Sequence, residues 1–200
     1  MRFEEAVFCS VDLETTGVDV SKDEILAFAC IPVKSAKIIV REACYLMVKP
    51  DRFRIESMKY HGISEEDLRK APSFEAVRQQ ILSVLNGILI GYSARFDYQF
   101  LQKHFKRNGV KFTRDVLDIA LIESILAQGS NRQPDLTFEG MMKEYGLEEY
   151  FRHNALSDAF FAAQIFQMQL DRLSHAGIRS TGELIRAEKE CFRGPADFAF

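Results

Sequence analysis

No apolar run in this chain is long enough to span a bilayer. Ile25–Val33 and Ile81–Ile90 are too short or too interrupted. No signal peptide is legible either, because acids precede the short apolar run of MRFEEAVFCSVD, and an intracellular, cytoplasmic location without membrane association is expected. The 4 cysteines form no CxxC pair, and three of them, Cys9, Cys30 and Cys44, fall in strand-like segments. A zinc site or disulfide framework is thereby disfavoured, and buried reduced thiols are expected. There is no excess of positive charge: the formal net charge is -3. Broad electrostatic wrapping of duplex DNA is disfavoured, whereas gripping a single strand end is not. Repeats and low-complexity tracts are also missing.

What is present fits one domain with a tail in 200 residues, long enough to bury a core without staples. Ala6–Leu13 alternates as a strand and ends in a turn at Glu14-Thr-Thr-Gly17. Glu24–Val33 and Lys37–Val48 read as two more strands joined by a turn at Pro32–Ala36, giving a meander. Helices follow Pro50. Ser64 and Ser73 are N-caps, the second opening a helix with Phe74, Val77, Ile81, Leu82 and Leu85 on one face. Ile88–Tyr92 is a short buried strand. Helices are predicted over Ala94–Arg107, stopped by Asn108-Gly109, over Asp115–Gln128 before Gly129, from Thr137 to near Gly146, and over Ala155–His175. Domain boundaries are placed at 1–177 and 178–200. The second is a C-terminal extension whose Ser180-Thr-Gly-Glu183 opens one further helix before Gly194-Pro195 breaks the chain; it shows no chemistry. Strands followed by alternating helix and strand predict an α/β fold, a mixed central sheet flanked by helices.

Three short segments carry candidate chemistry. Asp12 and Glu14, two apart on a strand, point the same way. Two like charges at a buried strand end repel, and a hard cation between them removes the conflict. A solvent-facing acidic pair before a turn is the plain alternative. In Gly91-Tyr-Ser-Ala-Arg-Phe-Asp97 a strand runs into a helix whose first turn holds Asp97, an acid that also suits a helix N-terminus by itself. In His153-Asn-Ala-Leu-Ser-Asp158, Asp158 lies among Phe160, Phe161 and Ile165, where an unpaired acid is costly; a salt bridge or an exposed stripe are its alternatives. His153 on its own reads as a loop histidine.

In this order the segments resemble the DEDD exonucleases, in the branch whose general base is a histidine (DEDDh). That branch includes the proofreading epsilon subunit of bacterial DNA polymerase III, ribonuclease T and oligoribonuclease. Asp12-Leu-Glu14-Thr-Thr-Gly17, Gly91–Asp97 and the H-x-A-x-x-D pattern from His153 to Asp158 match its three motifs. His61-Gly-Ile63 before Ser64 resembles the segment between the first two, so the likeness spans roughly Ala6 to Leu173. The chain departs at Tyr92-Ser93, where family members usually carry His-Asn.

The resemblance implies a ribonuclease H-like fold and a 3′→5′ exonuclease releasing nucleoside 5′-monophosphates, most readily from DNA in a proofreading role. It implies two divalent cations, Mg²⁺ or Mn²⁺, on Asp12, Glu14, Asp97 and Asp158, with Asp12 bridging. It makes His153 the base that takes the proton of the nucleophilic water. Two such ions stabilise the attacking and leaving oxygens together. Thr15, Thr16, His61 and Phe96 are implied substrate contacts. Phe96 and Phe100 share a helix face and would serve equally as core. The basic run Lys103–Arg107 reads as a phosphate guide or as a solvated face. The implied partners are single-stranded nucleic acid or a frayed 3′ end, and a DNA polymerase. An exoribonuclease acting on RNA ends or short oligoribonucleotides, and a non-catalytic nucleic-acid-binding or polymerase-associated module, are the alternatives.

Overall fold

The computed structural model describes residues 1–128, 132–148 and 153–192. Its spine is a pair of long strands, β1 (Val7–Thr15) and β2 (Ile25–Lys34), antiparallel along the whole of β1. β2 turns at Ser35 and Ala36, both left-handed at φ 52 and 56, into β3 (Lys37–Ile38). A 3₁₀ turn over Val40–Glu42 follows, and then β4 (Cys44–Met47), which returns to β2. The strand expected over Lys37–Val48 is therefore two pieces. Pro32 offers no N–H to a ladder, and its carbonyl instead accepts Ile39 N–H (2.9 Å) where the chain leaves the sheet.

Two short helices, α1 (Met58–His61) and α2 (Glu65–Leu68), precede α3 (Phe74–Val84). Ser64 and Asp67 close the expected capping box on α2, and Ser73 caps α3. β5 (Ile88–Gly91) then lies parallel to β1, and α4 (Ala94–Arg107) leaves its C-terminal end. β6 (Val116–Asp118) adds parallel to β5 and runs directly into α5 (Ile119–Ala127). The helix expected over Asp115–Gln128 thus begins four residues early, at the expense of the strand β6. The apolar stretch from Val116 to Leu121 has no period that separates a buried strand from a buried helix. α6 (Phe138–Glu144), α7 (Ala155–His175) and α8 (Thr181–Phe192) complete the order. Gly129, Gly194 and Pro195 lie outside the described residues.

The sheet order is β3-β2-β1-β5-β6, with β4 also on β2. Its mixed character is the one expected, helices covering both faces. Odd residues of β1 (Cys9, Val11, Leu13) pack with α3 and α4 around Phe100 and Phe105. Even residues face α7: Phe8 meets Phe166 edge-on at 4.8 Å, and Ser10 Oγ donates to Ala159 O at 2.7 Å. Cys9 and Cys30 are buried free thiols; Cys44 and Cys191 are free and partly exposed. α8 joins the core on the α7 side of the sheet, with Phe8 and Phe166, through Leu184, which is fully buried.

Two close approaches fix where β5 ends. A Cβ on Gly91 would stand 2.7 Å from Val11 O, and one on Gly87 2.2 Å from Val7 O. Backbone, unlike a flexible side-chain tip, does not give way. Gly91→Val should lower the urea midpoint by an amount equivalent to roughly 1–3 kcal/mol, the usual cost of overpacking. A midpoint equal to the wild type would show that β1 and β5 do not meet this closely.

The basic run of α4 is neither a free phosphate guide nor a solvated face throughout. Lys103 Nζ lies 3.8 Å and Arg107 Nη1 2.9 Å from Glu24 Oε1, and Lys103 also donates to Asp23 O. These contacts tie α4 to the loop that joins β1 to β2. His104 is buried beside them against Phe74, with Nε2 3.9 Å from Glu24, too far for a hydrogen bond. Burial pushes its pKa down to about 4. With the folded value below the unfolded one, the unfolded state binds more protons between about 4 and 6.5. Stability from this residue is therefore complete above that window and lost as the pH falls through it. The melting temperature of His104→Leu relative to wild type should rise as the pH is lowered from 7 to 4. A difference that stays constant over that range would contradict a neutral buried imidazole.

Candidate active site

The site forms where β1 outruns its neighbour. β5 pairs with β1 only as far as Ser10, so the edge of β1 beyond it is open to other partners. Asp97, in the first turn of α4, fills that opening and accepts the backbone N–H of Leu13 as well as its own. It is 5% exposed. Burial raises its carboxyl well above the usual carboxylate range, and the charges of Asp118 and Glu14 push the same way.

Asp12 and Glu14 continue the face of β1 that bears Phe8 and Ser10, so they point toward α7. Their cross-strand partners are Ala29 and Ala27, and α7 presents Ala155, Ala159, Ala162 and Ala163. Small residues on both surfaces let the helix settle close to the strand. Asp158, on this part of α7, is buried. Its Oδ2 accepts the backbone N–H of His153 (3.2 Å). His153 itself is exposed and left-handed at φ 60, a region that histidine enters more readily than most residues. Asn154 then caps α7 by accepting Ser157 N–H.

The implied substrate residues gather in one cleft of about 460 Å³, lined by Leu13, Glu14, Thr15, Thr16, His61 and Phe96 together with Arg54, Lys59 and Tyr60. Their roles divide. Thr15 Oγ1 donates to Gly17 O (2.8 Å). Thr16 Oγ1 donates to Asp23 Oδ1 (3.2 Å) and accepts Glu24 N–H (3.0 Å). Both hydroxyls hold the turn, so these threonines offer the cleft chiefly backbone and methyl surface. Asp23 sits so close beneath Gly17 that a Cβ there would stand 2.4 Å from its carboxylate. His61 Nδ1 accepts Ile63 N–H (3.0 Å), which leaves the ring proton on Nε2. That Nε2 is buried with no hydrogen-bond partner among the described residues, and burial lowers the pKa, favouring the neutral donor. Phe96 lines the cleft, whereas Phe100, 4.8 Å from it, is fully buried core.

The donor set is all carboxylate, the chemistry of Mg²⁺ or Mn²⁺ rather than zinc or copper. Among the described residues, no three or more His, Cys, Asp or Glu side chains stand together in a group that could hold a metal ion. Asp97 accepts Leu13 N–H and feels the charge of Glu14, Asp158 accepts His153 N–H, and the Asp12–Glu14 pair faces α7. The acids border one strand end and fit an ion in their chemistry.

Two residues escaped the sequence reading. Asp118 caps α5 by accepting Ala120 N–H (3.0 Å), and its charge reaches Asp97. Glu188 of α8, 1% exposed, accepts Asp118 N–H (2.7 Å). An acid directly before an apolar helical run signals a cap and would have exposed Asp118. Glu188 carries no local signal, since its partners lie 70 and 93 positions away. At the departure from the family pattern, Tyr92 stacks on Phe138 (5.1 Å) and Ser93 takes the left-handed N-cap of α4 at φ 52. Asparagine, the usual residue there, enters that region more easily.

Comparison with known proteins bears on the family and the fold. A family model described as an exonuclease, RNase_T, matches residues 9–166. A PolC-type DNA polymerase III of Thermotoga petrophila is 31% identical over 91% of this chain, which spans only 13% of that relative. The DNA polymerase III subunit epsilon of Aquifex aeolicus is 29% identical, covering 94% of this chain and 93% of its own length. Among solved structures, E. coli Exonuclease I in complex with a dT13 oligonucleotide superposes with a TM-score of 0.74 at 19% identity, over 86% of this chain and 42% of that one. The likeness confirms the ribonuclease H-like exonuclease fold.

Proposed function

The chain belongs to the exonuclease family, and from that premise we propose that it hydrolyses the terminal phosphodiester at the 3′ end of single-stranded or frayed DNA, releasing nucleoside 5′-monophosphates. The observation that carries this reading is the strand end itself. Asp12 and Glu14 face α7, the helix that carries Asp158, while Asp97 accepts the N–H of Leu13 between them. The preference for DNA and for a proofreading role draws on the relatives' names, as does a DNA polymerase as partner. A cytoplasmic location agrees with the same relatives, and among the described residues no helix is long and apolar enough to cross a membrane.

Asp12, Glu14, Asp97 and Asp158 would hold two divalent cations, Mg²⁺ or Mn²⁺. Such ions, when bound, neutralise charge on the phosphate and on the attacking and leaving oxygens. The protein's own groups do the rest. His153, exposed at the head of α7 and tied by its backbone to Asp158, accepts the proton of the attacking water. His61 donates from Nε2 to the terminal nucleotide, Phe96 offers a stacking face, and Thr15 and Thr16 shape the wall. The exonuclease domain is assigned to residues 1–177.

The test offers 5′-labelled single-stranded DNA, RNA of the same sequence and a duplex with a 3′ mismatch, each with Mg²⁺ or Mn²⁺. A ladder shortened from the 3′ end, fastest on DNA, is expected. Faster loss of RNA would move the reading to an exoribonuclease. Intact oligonucleotide under every condition would leave only a binding module.

A further inference from the structure

α8 lies outside the matched exonuclease segment and outside the motifs, yet it reaches the site. Leu184 and Glu188, four apart, share one face of this helix. Leu184 enters the core, and Glu188 is buried with it at 1% exposure. One carboxylate oxygen of Glu188 accepts Asp118 N–H at 2.7 Å, and the other stands 3.3 Å from Arg95 Nη2. Asp118 in turn caps α5 and accepts the backbone N–H groups of Ser93 and Ala94. Ser93, Ala94 and Arg95 are the start of α4, and Asp97 is its first-turn acid. A single buried carboxylate therefore binds both the strand end carrying Asp118 and the helix start carrying Asp97.

A helix needed only for packing would be served better by an apolar residue here. A buried carboxylate is costly to desolvate, and the return on it is directional: two partners held at fixed angles. Arg95 and Asp118 N–H, both held by Glu188, flank the first turn of α4 that carries Asp97.

We propose that Glu188 is a positioning residue: acting through Asp118 and Arg95, it fixes the first turn of α4 and so the orientation of the Asp97 carboxylate for a divalent cation. The inference rests on the reading of Asp97 as a cation ligand.

The experiment uses the full chain and three variants, Glu188→Ala, Glu188→Gln and Arg95→Met. Mn²⁺ binding is measured by calorimetry, the melting temperature without added metal, and kcat and KM on single-stranded DNA. Glu188→Ala should weaken Mn²⁺ binding and lower kcat, each by about 10–100-fold, the usual effect of removing a group that orients a ligand, with KM for DNA nearly unchanged. Glu188→Gln retains an oxygen for Asp118 N–H and should recover most of the loss. Arg95→Met, altered at a partly exposed residue, should shift Mn²⁺ binding in the same direction as Glu188→Ala, and it decides the matter if the alanine variant does not fold. A folded Glu188→Ala or Arg95→Met that binds Mn²⁺ like the wild type overturns the proposal and leaves the proposed function standing. A wild type that binds no Mn²⁺ overturns both.

Discussion

Asp12→Asn should lower kcat/KM on single-stranded DNA by at least about 10²–10³-fold, the range for losing one preorganised electrostatic stabiliser. The substitution keeps size and shape and removes only the charge. Asp12 stands opposite Ala29 of β2 and faces α7. A second readout separates this role from a structural one. Without divalent ions, the melting temperature of Asp12→Asn should equal or exceed that of the wild type, because one member of a group of like charges has been removed. Acids kept for packing or capping behave in the opposite way: their loss lowers stability and leaves turnover largely intact. A variant that melts earlier yet cuts at the wild-type rate would remove Asp12 from the chemistry.

His153→Ala should reduce turnover by about 10²–10⁴-fold, the range for losing a general base. The side chain is exposed at the head of α7, on a left-handed backbone position that histidine enters more readily than most residues. Because the contact with Asp158 runs through the backbone N–H of residue 153, alanine retains it. Mn²⁺ affinity and KM should accordingly stay close to wild type, with the loss confined to kcat. Stopped or single-turnover hydrolysis of a labelled oligonucleotide separates these terms. An equal fall in metal affinity would instead assign the residue to cation binding, and unchanged turnover would remove it from the reaction.

Much of the architecture could be read in the sequence because its signals are local. α4 and α7 run over the residues expected, since each combines an apolar stripe and a stop within one segment. The pairing of Asp12 with Glu14 on one face follows from strand alternation alone. The failures have a common cause in tertiary contacts. β6 exists because β5 offers it a parallel edge, and nothing within Val116-Leu-Asp118 demands a strand. The break between β3 and β4 depends on which groups of β2 remain free at Pro32. In the cleft, Thr15 and Thr16 were not legible as turn-holding groups, because their acceptors lie in the backbone and in Asp23. Lys103 and Arg107 could not be matched to Glu24 across some eighty positions. Glu188 belongs to the same class, a residue whose meaning is set entirely by what folds against it.

The most direct test of the account is where divalent cations bind. Crystals soaked in Mn²⁺, or grown with it and a nucleoside 5′-monophosphate, should show anomalous scattering beside the C-terminal end of β1, in contact with Asp12 and with at least one of Glu14, Asp97 and Asp158. Anomalous peaks confined to other acids, or none at a concentration that supports hydrolysis in solution, would contradict it.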